Sequence, residues 1–143
     1  MAGGTDTTEL SLAALELDKL EACVELMFFA AYADGVVDAS ERAKFEEHVK
    51  QATNGQLGPA LIAAVLRHIE GELDVAQRPQ RLRAIGDRLR LLPVKRAALV
   101  LAMRVAMADG KLTSEERQFL MEAAAVFEID EREALGLVGE ASA

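Results

Sequence analysis

Ala33-Asp34-Gly35-Val36-Val37-Asp38-Ala39-Ser40-Glu41-Arg42 recurs further along the chain as Ala108-Asp109-Gly110-Lys111-Leu112-Thr113-Ser114-Glu115-Glu116-Arg117. Ala, Asp, Gly, Glu and Arg repeat in register, and Val37 and Leu112 fill the same hydrophobic slot. The register extends outward through Ala31 and Ala106, Phe45 and Leu120, and Glu47 and Glu122. A long apolar run leads into each Asp-Gly, and a helix-start signal follows it. The chain therefore carries a duplicated helix–loop–helix unit. Two copies predict a compact domain with approximate two-fold internal symmetry, not a solenoid.

Composition agrees with helices. Of the residues, 51% are hydrophobic but only 4% aromatic, with three prolines and no sustained period-two alternation. The expected fold is all-α: a compact bundle of six to seven helices built from two pseudo-symmetric helix–loop–helix repeats. The 143 residues read as a single helical domain. Within it, residues 1–9 are disordered, repeats occupy about 18–70 and 93–141, and a linker helix runs over about 74–91. The lone Cys23 lies in an apolar run and reads as a buried, inert thiol. Met1 to Glu9 has no secretory apolar core. The most apolar window, Cys23 to Ala33, is about half the ~20 residues a membrane-spanning helix needs. A cytoplasmic protein without membrane insertion is the expectation.

The helix from Asp18 to Ala33 is apolar on nearly every side, with Lys19, Glu21 and Glu25 the only charges between Asp18 and Asp34. A capping box at Asp18–Glu21 opens it, after a short helical stretch from Leu10, and Gly35 ends it as a left-handed residue. Its repeat partner begins at Pro93 and stops at Gly110. Two such helices can only bury each other at the centre. Capping boxes at Asp38/Glu41, Thr113/Glu116 and Asp130/Glu133 open three further helices. Another runs from Pro59 to Gly71 with Leu61, Ile62, Val65, Leu66 and Ile69 inward. In the linker helix, beginning near Asp74, Leu82, Ile85 and Leu89 face inward and the arginines outward.

The net charge of −8 is unevenly placed. Residues 78–104 hold eight bases and one acid, a local +7, so the rest carries −15. The basic segment lacks the interleaved aromatics of a single-strand binder, and nucleic acid is not the expected partner. Within one molecule it complements the acidic repeats, or it docks a partner. His48 and His68 read as core-edge histidines. No Ser-His-Asp set, Cys-His pair, zinc spacing or glycine-rich phosphate loop occurs, so the chain reads as not an enzyme.

Laid on an EF-hand loop, the repeated stretch matches the second half only: Asp fifth, Gly sixth, a hydrophobe eighth and Glu twelfth. Ala30 and Tyr32, and then Val105 and Met107, stand where the first carboxylates belong. A full protein cage is excluded. A partial ligand set remains at Asp34, Asp38 and Glu41, with the Val36 carbonyl, and at Asp109, Thr113 and Glu116, beside Glu115. The first copy has one more carboxylate and should hold a divalent cation, calcium or magnesium, more tightly, though still weakly. The competing reading makes these residues helix caps and nothing more. Asp34 and Asp109 resist it, because an anion at a helix C-terminus is disfavoured by ~0.3–1 kcal/mol.

The duplicated A-D-G-x-[VL]-[DT]-x-x-E-R after an apolar helix resembles the TerB family of tellurite-resistance proteins. It is similar also to the N-terminal region of DjlA-type co-chaperones. The resemblance covers about Leu20 to Leu137. It implies an all-helical bundle of paired repeats and an acidic, metal-associated accessory protein of bacterial stress response. Membrane-associated and calcium-binding protein partners are implied with it. The family's acidic positions fall on Asp34, Asp38, Glu41, Asp109 and Glu116, and Thr113 departs from the acidic pattern. The alternative is a metal-free interaction module, adaptor or co-chaperone-like, using the acidic face or the basic 78–96 segment.

Overall fold

The computed structural model describes residues 16–32, 39–69, 78–108, 110 and 112–142. Among these residues every regular element is a helix: α1 Leu17–Ala31, α2 Ala39–Ala52, α3 Pro59–Ile69, α4 Arg78–Leu89, α5 Leu92–Ala106, α6 Ser114–Val126 and α7 Glu131–Ser142. The expected disorder at residues 1–9, the helical stretch from Leu10, and the roles given to Gly35, Gly71 and Asp74 lie outside the described residues.

α1 and α5 form the most extensive helix pair and the centre of the bundle. Their sequences require it. Ala22, Cys23, Val24, Leu26, Met27, Phe28 and Ala30 of α1 are buried, as are Val94, the run Ala97–Met103, Val105 and Ala106 of α5. Helices apolar on all sides reach low free energy only when other helices surround them. The packing around them is reciprocal. α2 touches α1 and α5, α6 touches α5 and α1, α3 covers α1, and α7 covers α5. α4, which has no counterpart, bridges α1, α5 and α6. Its Leu82, Ile85, Gly86 and Leu89, spaced as one helical face, are buried.

Three helix ends differ from the sequence expectation. α1 begins at Leu17 with no side-chain cap. Asp18 does not open it with a capping box, because its carboxylate accepts from Arg88 instead. α1 stops at Ala31 and α5 at Ala106, each two residues early. In α5 the closing turn tightens: Met107 N–H reaches Met103 O and Val105 O, and Ala108 N–H reaches Val105 O. Gly110, at φ +131°, therefore turns the loop and does not end the helix.

Gly86 sets how closely α4 approaches the α6–α7 corner. A Cβ there would stand 3.1 Å and 3.2 Å from Cδ1 and Cε1 of Phe127, a fully buried ring. Alanine is the better helix former by ~1 kcal/mol, but overpacking a filled core costs ~1–3 kcal/mol. Gly86→Ala should destabilise, by about 1 kcal/mol net. Gly139→Ala, whose Cβ meets nothing, should stabilise by a similar amount. Urea unfolding of the two variants checks the opposite signs.

Candidate functional site

Each acidic loop joins the end of a central helix to the start of a more polar one, α1 to α2 and α5 to α6. In the first, Tyr32 is the hinge. It caps α1, and its hydroxyl donates to the backbone carbonyl of Glu41 in the first turn of α2. The ring lies 5.1 Å from Phe28 and 5.9 Å from Phe45, which themselves meet edge-on at 5.2 Å. This aromatic cluster ties the two flanks of the loop together. Asp34, Asp38 and Val36 lie outside the described residues, so the Asp38/Glu41 capping box does too.

In the second copy the capping box is present. Thr113 Oγ1 accepts from Glu116 N–H at 3.1 Å, and Glu116 Oε1 accepts from Thr113 N–H at 2.8 Å. Asp109 lies outside the described residues. Met107 stands at the position of Tyr32 and has no hydroxyl to span the loop. The side-chain tie from Tyr32 to α2 thus belongs to the first copy. At the start of α7, Asp130 Oδ1 accepts from Glu133 N–H at 2.8 Å. Among the described residues no three His, Cys, Asp or Glu side chains gather as a metal-holding group.

A second cluster of charge lies away from the loops. Glu25, 3% exposed, is a buried carboxylate on α1. Its Oε1 accepts from Arg81 Nη2 at 3.1 Å and its Oε2 from Arg88 Nη1. Arg88 also donates through Nε to Asp18 Oδ1 at 2.9 Å, and through Nη2 to Asp18 O at 3.1 Å and Glu21 Oε1 at 3.4 Å. A cleft of about 310 Å³ opens on this cluster, lined by Glu21, Glu25, Ala64, Val65 and Arg88.

Two more bases of the segment are engaged. Arg78 pairs with Glu122 at 3.4 Å and lies 5.5 Å above the Phe119 ring, and Arg96 pairs with Glu133. The expectation that the α4 arginines face solvent fails at Arg78, Arg81 and Arg88, all turned onto neighbouring helices. A signal was present: a locally +7 segment needs carboxylate partners, and Glu25 is a lone acid among buried residues of α1. His48 is half-buried on α2, and the side chain of His68 lies outside the described residues.

Burial pushes the Cys23 thiol up to about 12 from its ordinary 9.0, against the smaller, opposite pull of the Arg88 charge. Folding keeps the proton that the unfolded chain releases first. The stability held below pH 9 is therefore lost progressively as pH rises towards 12. Cys23 should resist thiol reagents in the native protein and react in urea. Above pH 9 the wild type should lose stability faster than Cys23→Ala, measured by denaturant midpoints.

No described helix is long and apolar enough to cross a membrane. Comparison with curated proteins and with solved structures returned no match. The family model described as Tellurite resistance protein TerB matches residues 16–136, from the start of α1 into α7.

Proposed function

The chain belongs to the TerB family of tellurite resistance proteins, and from that membership we propose that it is an accessory protein of a bacterial stress response, not an enzyme. In this reading it works in the cytoplasm beside membrane-associated protein partners. Its two acidic Asp-Gly loops take a divalent cation, calcium or magnesium, weakly. The observation that carries the reading is the duplicated acidic loop, placed each time where a buried central helix hands over to a polar one.

Carboxylate and hydroxyl oxygens are the donor set that a hard cation takes. Asp34, Asp38 and Glu41 would hold it at the first loop, and Asp109, Thr113 and Glu116 at the second. Thr113 Oγ1 and one Glu116 oxygen already accept backbone N–H groups, and Thr113 supplies no charge. The first loop is the tighter of the two in this reading. The alternative, metal-free docking, has less support from the basic segment, because Arg78, Arg81, Arg88 and Arg96 are paired within the molecule. The acidic loops are then the surface that a partner would meet.

Glu41→Gln separates cap from ligand. Glutamine still accepts a backbone N–H at the third position of a capping box, but it lacks the charge and bidentate grip a hard cation needs. The variant should fold as the wild type does without metal. It should lose most of the rise in melting temperature that calcium or magnesium produces through linkage. Asp34→Asn should lose as much and Asp109→Asn less. If the wild type itself shows no shift in melting temperature or amide resonances with millimolar divalent ions, cation binding is rejected and docking stands.

A further inference from the structure

The duplication leaves its two halves unequally covered. In the second half the start of α4 lies on α6. There Arg78 Nη1 pairs with Glu122 Oε2 at 3.4 Å, and the guanidinium stands 5.5 Å from the centre of the Phe119 ring. Glu47 holds the register position of Glu122 in the first half. It is exposed on α2, and no described residue forms an ion pair with it. The halves differ in packing too. α6 lies directly on α7, whereas the described residues of α2 and α3 make no comparable contact. A groove of about 300 Å³ opens between them. Ala43, Glu46, Glu47 and Lys50, spaced as one helical face, form its α2 wall, and Leu57 and Ile62, both buried, lie at its floor.

We propose that this groove takes an arginine side chain of a protein partner, its guanidinium on Glu47 and Glu46 and its aliphatic stem over Leu57 and Ile62. The second half supplies the precedent, an arginine already seated on the equivalent glutamate. Two carboxylates against one ammonium give the wall a net charge of −1. A planar guanidinium matches carboxylates in a fork and sheds its water more readily than an ammonium. Lys44 replaces Phe119 in the register, so the stem rests on the apolar floor instead of a ring. Lys50 repels a further base at its end of the groove, which selects a single arginine over a polybasic run. The volume is at the lower limit of ligand pockets, roughly 300–1,000 Å³, and admits a side chain, not a broad surface. Arg78, Arg81, Arg88 and Arg96 are already paired within the molecule, which favours a different protein over a second copy.

The test titrates the full chain with acetyl-leucyl-arginine amide and with its neutral isostere, acetyl-leucyl-citrulline amide, read by amide NMR shifts. The arginine peptide should produce saturable shifts at residues 43–50 and 55–62. The citrulline peptide should bind about fivefold more weakly, the scale of one partly exposed charge pair. Glu46→Gln combined with Glu47→Gln, both outside the core, should remove that preference and leave the rest of the spectrum in place. Equal binding of the two peptides, or no saturable shift in the groove at concentrations on the order of 10 mM, would overturn the proposal. So would equal shifts across other acidic surfaces, which would mean unspecific attraction. Movement of the same groove resonances on simple dilution would make a second copy the occupant and would also overturn it.

Discussion

Replacing Glu25 by alanine is expected to lower stability by about 3–5 kcal/mol, the usual loss when one member of a buried ion pair is removed. The carboxylate is almost fully enclosed, and two guanidinium groups, 56 and 63 residues away in sequence, converge on it. Without it both cations stay partly desolvated against α1 with their principal partner gone. Position, not charge count, decides the size. Asp18→Ala removes a contact to the same Arg88, but the Asp18 side chain is 62% exposed, so it should cost no more than about 1 kcal/mol. Glu25→Leu combined with Arg88→Met should recover much of the loss, because an apolar pair carries no desolvation penalty. Urea unfolding of the four proteins gives the comparison. A loss at Glu25→Ala no larger than at Asp18→Ala would show that solvent reaches the cluster freely.

Phe28→Ala is expected to cost about 3–5 kcal/mol as well, by transfer and cavity terms together. Phe28 is 1% exposed and meets the rings of Phe29, Tyr32 and Phe45 at 6.2, 5.1 and 5.2 Å. The cavity cannot close easily, since α1 is pinned by α5, α4 and α3 along its length. The effect should reach the first acidic loop. With Phe28 gone the Tyr32 ring loses a wall of its slot, and its hydroxyl holds the Glu41 carbonyl less firmly. Amide exchange in the first turn of α2 should then quicken, while the first turn of α6, fastened by the Thr113/Glu116 box, stays protected. Equal exchange changes at both turns would mean global loosening and would remove Tyr32 from its proposed role.

The two variants test features that the sequence discloses to different degrees. The burial of Phe28 follows from its place in an apolar run, and the central pairing of α1 with α5 from the absence of any polar face on either. The Thr113/Glu116 box follows from spacing alone, and the structure contains it. Glu25 was seen as a charge on a buried helix, but its partners were not. The arginines of α4 were expected to face solvent because a helical wheel shows only which face an apolar stripe occupies. Long side chains at the stripe's margin can still turn back over a neighbouring helix. The close approach of Gly86 to Phe127 was likewise invisible, since a glycine in a helix leaves no mark in the hydrophobic pattern.

The sequence by itself therefore determined the helical class, the order of the helices, the duplication, the central pair and the cap at Thr113. All of these rest on periodicity and on hydrogen bonds closed within a few residues, which local order specifies. Only the tertiary structure decided where α1 and α5 stop, what Glu25 pairs with, how near α4 comes to Phe127, and that the Tyr32 hydroxyl reaches across to the Glu41 carbonyl of α2. These contacts join residues from different helices, and for the Asp18–Arg88 pair the separation reaches 70 residues. Their geometry depends on interhelical angles and distances that arise from the packing of every side chain at once.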